Sequence, residues 1–373
     1  MDQGNIKKTI NIKNCVLYEG KAYFSNAMFN AMIVYDTKTE EVVKICEFPR
    51  IDRASLLYHG HCLNYGKKIF FFPDCGTGNI VHMYDINKDE IEAYELPLKD
   101  RGVQYAALFN DNILLFPYYA SQGLIVMDPK NPNETRIEKW WSCDALDEAK
   151  PIRTSEYKDG IFWSFCEGTD RIVLGDCKKK SIEVYSMGVE ASEIYTVSFD
   201  GKDFWIAKKD GLDLFKWNPS DGTRRVGVIN NGMRKDAGYL DIICALNRVF
   251  VTVEKEKKIF VLDEKANHLN ILTEFPEDSL FFDESDRKFS TYYKVVDNVV
   301  LLFCVKTNMM FEINADNLSV RQRNMTVKNC KLFDNYTSRI IREIVDNGFL
   351  IREGISWDWK SNFNVFLNFV LEK

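Results

Sequence analysis

A short apolar run that ends in Asp or Asn recurs seven times along the 373 residues, and this recurrence limits the fold more than any other feature of the sequence. The runs are AMIVYD ending at Asp36, IVHMYD at Asp85, GLIVMD at Asp128, RIVLGD at Asp176, DLFKWN at Asn218, KIFVLD at Asp263 and MMFEIN at Asn314. Their spacings are 49, 43, 48, 42, 45 and 51 residues. Ahead of each anchor lies a second apolar run behind a turn residue, such as GKKIFFFPD from 66 or DNVVLLFCV from 297, and ahead of that a third. After each anchor comes a polar turn and a fourth run, such as DEIEAYEL or KSIEVYSM. Four short β-rich runs per repeat, joined by Asp-Gly, Asp-Asn and Asn-rich turns, describe a four-stranded antiparallel blade. Seven blades around one axis make an all-β seven-bladed β-propeller. An α/β fold would need amphipathic helices of 10 to 15 residues between strands, and residues 1 to 325 contain none.

The ends of the third runs, Tyr35-Asp36, Tyr84-Asp85, Met127-Asp128 and Leu262-Asp263, fall where the Trp-Asp pair stands in WD40 repeats. Over residues 14 to about 325 the chain therefore resembles the WD40 and kelch-like propellers at the level of architecture. It lacks the kelch double glycine and the WD40 Gly-His signature, and its Trp357-Asp358 lies outside the repeats, so no functional residue is carried over from either family. The anchor Asp and Asn side chains are expected to accept hydrogen bonds from backbone N–H groups of the turn that follows.

The ring is expected to take residues 1–327, with repeats near 14–48, 57–98, 105–141, 153–187, 195–229, 239–275 and 291–325. The segment KKTINI (7–12) is expected to pair with the last blade and tie the ends together. Residues 328–373 form an appendage expected to pack on the ring. It contains helix, because SRIIREIVDNG (338–348) and SNFNVFLNFVLEK (361–373) carry apolar residues at helical spacing. EIVDNGFLIRE (343–353) also resembles the seventh repeat, which leaves an eighth, degenerate blade as the alternative.

Charge and cysteine usage narrow the partners. With 55 acidic and 49 basic residues the net charge is −6, which disfavours nucleic acid and anionic membranes as partners. No segment reaches the roughly 18 consecutive apolar residues of a membrane span, and the N-terminus shows no signal-peptide run, so a cytoplasmic protein is expected. The ten Cys contain no CxxC pair and mostly sit in apolar runs, and they read as reduced core residues.

In an antiparallel blade the first and third turns share one face, and here they are short and charged (YEGK, YKDG, DTKTEE, DCKKKS). The other face receives the long connections, such as 49–61, 142–156, 230–241 and 276–293, and long loops on a rigid scaffold are where binding surfaces usually sit. These connections lead into the innermost strands at the channel mouth. The candidate ligand-binding residues there are Arg53, Tyr58, Tyr105, Arg153, Tyr239, Asp241, Tyr292 and Lys294. Aromatic rings stack on a polar or ring-shaped ligand while charged groups fix its orientation. The candidate catalytic residues are His59, His61 and Glu156; the two histidines, two apart on a strand, point to one side and could share a substrate proton or a metal. A metal would need further ligands, and His82 and His268 lie away from the inner-strand starts. GTGN (76–79) leads into a strand and so lacks the helix N-terminus of a phosphate loop, and the acidic stretch 278–286 lacks the spacing of a calcium loop. No metal or cofactor is expected.

The function expected is a binding propeller that recognises a protein segment or a polar, sugar-like ligand through the loop-rich face and channel mouth. The alternative is an enzyme of the lyase, epimerase or mutarotase kind, in which a mouth His, Tyr or Arg moves a proton beside a carbonyl or anomeric centre.

Overall fold

The computed structural model describes residues 12–339 except 27–29, 51–57, 75–77, 99–101, 118–122, 141–151, 159, 167–168, 189–193, 209–212, 227–238, 254–257, 264, 266–267, 275–290, 305–308, 325–330, 333–334 and 336–338. Within these residues the chain forms seven four-stranded antiparallel sheets, each built from four consecutive strands. Blade 1 holds β1 (Ile12–Tyr18), β2 (Lys21–Asn26), β3 (Ala31–Asp36) and β4 (Glu41–Glu47). Blade 2 holds β5 (His59–Tyr65), β6 (Lys68–Pro73), β7 (Ile80–Asp85) and β8 (Glu90–Glu95), and blade 3 holds β9 (Val103–Phe109), β10 (Asn112–Pro117), β11 (Leu124–Met127) and β12 (Arg136–Glu138). Blade 4 holds β13 (Ile152–Lys158), β14 (Ile161–Cys166), β15 (Arg171–Asp176) and β16 (Ser181–Ser186), and blade 5 holds β17 (Ile194–Phe199), β18 (Phe204–Lys208), β19 (Leu214–Asn218) and β20 (Gly222–Val226). Blade 6 holds β21 (Tyr239–Ala245), β22 (Arg248–Val253), β23 (Lys258–Asp263) and β24 (His268–Glu274), and blade 7 holds β25 (Thr291–Val296), β26 (Val299–Cys304), β27 (Met309–Asn314) and β28 (Val320–Asn324). The first strands of successive blades neighbour one another around the axis.

The anchor residue has one physical role in all seven repeats. Its side-chain Oδ1 accepts backbone N–H bonds from the turn beyond it: Lys38 and Thr39 on Asp36, Asn87 and Lys88 on Asp85, Lys130 on Asp128, and Lys178 and Lys179 on Asp176. Ser220 and Asp221 donate to Asn218, Lys265 to Asp263, and Asp316 and Asn317 to Asn314. These bonds hold the Asp36 and Asp176 carboxyls below the usual carboxylate range. Four residues past the anchor the chain turns left-handed, at Glu40 (φ 61°), Asp89 (φ 61°), Lys180 (φ 54°) and Leu318 (φ 59°). Gly222 (φ 72°) takes that position in blade 5, where it meets the requirement without a Cβ penalty.

The core lies between blades. Each of the seven seams holds its own cluster, from Val16, Met32 and Phe71 between blades 1 and 2 to Ile243, Phe250 and Phe311 between blades 6 and 7. The closing seam is of the same kind: Cys15, Phe24 and Ile33 of blade 1 pack on Leu301 and Met310 of blade 7. Arg323 Nη1 donates to Thr37 O at 3.3 Å and Lys294 Nζ to Cys15 O at 3.1 Å across it. The expectation for 7–12 is corrected at Ile12 alone. Ile12 pairs with Asn26 inside blade 1, residues 7–11 lie outside the described residues, and blade 7 supplies its own fourth strand. The expected helices at 338–348 and 361–373 also lie almost wholly outside them. Lys331, Leu332, Asn335 and Arg339 are helical, and Arg339 meets Glu47 on blade 1.

Fourth strands carry a recurring seal. Tyr94 hydrogen-bonds Glu92, Tyr185 hydrogen-bonds Glu183, and Trp140 Nε1 donates to Glu138 at 2.9 Å. Trp140 and Tyr185 then lie against Phe162 and Trp217 of the next blade. Burial pushes the Glu138 carboxyl up, but hydrogen bonds from Lys180, Trp140 and Arg136 outweigh it and bring the pKa to about 2. On the tight-turn face of blade 5 the Lys216 ammonium stands 4.1 Å over the Trp205 ring, 3.9 Å from Asp200 and 3.7 Å from Asp203. Asn218 Nδ2 donates to Asp203 at 2.7 Å and to Asp221 at 3.2 Å.

Candidate functional site at the channel mouth

Six of the seven inner strands share an irregularity where they start, at the loop-rich end. The register against the second strand slips by one residue at Ile12/Cys15, His59/His61, Val103/Tyr105, Ile152/Thr154, Ile194/Thr196 and Tyr239/Asp241. Blade 7 runs in unbroken register from Thr291 to Val296. A bulge adds one residue on one strand and bends it, which re-aims the side chains on either side.

This bulge overturns the expected pairing of His59 with His61. Gly60 is the extra residue, and a Cβ there would come within 2.6 Å of Asp74 Oδ1, so a larger residue would have to push the Asp74 side chain aside. Alternation is broken across it. His59 turns to the seam with blade 1, against Phe48, whereas His61 turns to blade 3 and meets the Tyr105 ring edge-on at 5.8 Å. The two histidines do not converge.

His59 instead joins a buried hydrogen-bonded string. Ser25 Oγ lies 2.8 Å from His59 Nδ1, His59 Nε2 lies 2.8 Å from His82 Nδ1, and His82 Nε2 lies 2.8 Å from Pro49 O. The proton positions follow from the last acceptor. Pro49 O can only accept, so His82 Nε2 carries the hydrogen. His82 Nδ1 then accepts from His59 Nε2–H, and Ser25 Oγ–H donates to His59 Nδ1. Burial, with the nearby His82, holds the His59 pKa well below its ordinary value. Burial also lowers His82 to about 4, with Arg50 adding to the effect and the Pro49 bond opposing it. Both rings are neutral at pH 7, and Phe48, Tyr58 and Phe71 enclose them.

The other candidates divide into three groups. Tyr58 is buried; Ile80 N donates to its hydroxyl at 3.1 Å, and Gly78 leaves it room, since a Cβ there would stand 2.7 Å away. His61, Tyr105 and Lys294 are half-buried on inner strands. Arg153, Glu156, Tyr239, Asp241 and Tyr292 lie on β13, β21 and β25, but their side chains are outside the described residues, as is all of Arg53. Ser25 is missed in the sequence, and His82 is set aside there as lying away from the inner-strand starts. His82 carried a signal, because its place in IVHMYD is filled by Ile33, Ile125, Val173, Phe215, Phe260 and Phe311 in the other repeats.

No known protein family and no curated protein sequence matches the chain. Solved structures share its fold. A catalytically inactive virginiamycin B lyase from Staphylococcus aureus with quinupristin superposes with a TM-score of 0.58 at 10% identity, over 81% of this chain and 95% of that one. A streptogramin B lyase gives 0.57 at 12% identity over 85% and 96%, and the computationally designed protein Ika8 gives 0.54 at 11% over 86% and 88%. Identities this low establish the propeller fold and nothing about chemistry.

Proposed function

We propose that the protein is a cytosolic binding propeller, and that its loop-rich face and channel mouth recognise a protein segment or a polar, sugar-like ligand. The observation that carries this reading is the contrast between the two ends of the ring. At one end the turns after the anchors are closed by their own Asx bonds. At the other, bulges re-aim the inner-strand residues and leave the His61 and Tyr105 rings, half-buried and edge to face, at neighbouring blades. Aromatic edges and faces with hydrogen-bonding groups suit a polar ring or a peptide.

The alternative reading, a proton-transferring enzyme, loses support at His59. A general base needs a ring nitrogen available to the substrate and a pKa near the working pH. Both His59 nitrogens are committed, and its basicity is depressed. His61 and Glu156 remain for that reading. The test is a glycan and peptide array with the full chain and with His61→Ala and Tyr105→Ala. Binding that falls at least tenfold in both variants, with unchanged melting temperature, supports the mouth. Binding indifferent to both sinks it.

A further inference from the structure

Lys294 is out of keeping with its place in the repeat. Counted by register, the same inner-strand position is Val16, Leu63, Ala107, Glu156, Ser198 and Ile243 in blades 1 to 6, facing Tyr23, Phe70, Leu114, Trp163, Trp205 and Phe250 on the second strands. Lys294 faces Leu301. Four of the seven positions are therefore apolar. Where the residue is the polar Ser198, its hydroxyl reaches the next blade and accepts from Cys244 N at 3.1 Å. Lys294 reaches the same way, across the closing seam to Cys15 O, on the open edge of β1 that borders the axis.

The bond to Cys15 uses one of the three ammonium hydrogens. Among the described residues no carboxylate lies within ion-pair distance of Lys294, although the chain carries six more acidic than basic side chains. The half-buried ammonium therefore keeps two hydrogens for water or for a ligand that displaces it. Its charge acts on the Cys15 and Cys62 thiols, which burial nevertheless holds high, so no thiolate neutralises it. Asn14, next to Cys15, accepts weakly from Cys62 Sγ through Oδ1 at 3.6 Å, which turns a side-chain amide toward the same inner-strand region.

We propose that Lys294 is an oxyanion-binding group at the seam of blades 7 and 1 beneath the mouth, and that the ligand of the mouth carries a carboxylate or phosphate that takes the remaining ammonium hydrogens. This rests on the binding reading above and names the ligand class: an acidic sugar, an acidic or C-terminal peptide group, or a phosphorylated small molecule, rather than a neutral one. The shared chemistry is an oxygen anion; which source supplies it is a matter for the test.

The full chain is titrated calorimetrically with D-glucuronate, D-glucose and inorganic phosphate, alongside Lys294→Gln and Lys294→Arg. In parallel, the wild type is labelled with lysine carrying 13C at Cε, which leaves the ammonium unmodified, and the Lys294 signal, assigned by its loss in Lys294→Arg, is followed against exposed Lys202. Loss of a charge-assisted hydrogen bond weakens binding roughly 10- to 100-fold. That loss is expected for Lys294→Gln with glucuronate or phosphate, with partial rescue in Lys294→Arg and a saturable shift of the Lys294 signal. Saturation by phosphate alone assigns the source to a phosphoryl group, and by glucuronate alone to a carboxylate. Glucose and glucuronate binding equally, with no effect of Lys294→Gln, overturns the anion site but leaves the mouth reading intact. A Lys294 signal that drifts with anion only as Lys202 does overturns it even if the Gln variant fails to fold. The mouth reading itself fails only on the His61 and Tyr105 variants.

Discussion

His59 Nε2 and His82 Nδ1 stand 2.8 Å apart in a seam where no carboxylate among the described residues bonds either ring, so burial favours the state in which both imidazoles are neutral. Every nitrogen in the string already has its partner. A further proton can be accommodated in the string, because the Ser25 hydroxyl can turn from donor to acceptor; its cost is the burial of a positive charge.

Stability is therefore expected to depend on pH with a definite sign. The folded pKa values are depressed, so the unfolded chain binds more protons than the native one below the ordinary value of 6.5. The stabilisation is full above pH 6.5 and is lost as pH falls toward the folded value, about 4 for His82. The loss over that window is about 3 kcal/mol for His82, from roughly 1.4 kcal/mol per pH unit. Chemical denaturation at pH 7 and pH 5 checks it: His82→Phe should be less stable at pH 7 and should show a shallower pH slope. Equal slopes in both proteins would refute the assignment.

Lys216 compensates two acids at once. Lys216→Met keeps the packing on Trp205 but leaves Asp200 and Asp203 without the ammonium between them, and Asp203 is 3% exposed. Removing one partner of a buried ionic group costs about 3–5 kcal/mol. Adding Asp203→Asn should recover part of that loss, and failure to recover any would show that the ammonium is not what holds the carboxylate.

Asn218 is amide rather than acid for a local reason. Its Nδ2 donates to Asp203 and Asp221, while its Oδ1 takes the turn N–H groups that an Asp would serve equally well. Asn218→Asp should preserve the turn yet cost about 1–3 kcal/mol through the lost donors. The cost should shrink at low pH, which urea melts at pH 7 and pH 4 will show.

Gly175 admits the Phe162 ring. A Cβ at 175 would meet ring carbons at 2.0 Å, and Phe162 is buried between blades 3 and 4. Gly175→Ala is expected to destabilise by about 1–3 kcal/mol, and Phe162→Leu in the same chain should relieve it. A melting temperature unchanged by Gly175→Ala would contradict the packing.

The ring was legible in the sequence because its signal repeats: each anchor, from Asp36 to Asn314, closes a turn by the same side-chain-to-backbone bond, and the spacing adds up over seven copies. The mouth was much less legible. A bulge is one residue long and leaves the apolar alternation on both sides intact, so HGHCLNY reads as a regular strand although Gly60 reverses the phase between His59 and His61. His59 and His82 meet across β6 within blade 2, and Ser25 joins them from blade 1, at separations of 23 and 34 residues within the string. What could have been read is the departure from the repeat itself: His82 and Lys294 each stand where most other copies carry an apolar side chain.

The closing seam, with Cys15 and Phe24 against Leu301 and Met310, is built by the same side-chain packing as the other six seams. A circle whose last joint matches all its others has no privileged first segment. Circular permutation at any of the long connections would leave every seam's chemistry unchanged, so the order in which the blades are strung together is free to vary while their order around the axis is not.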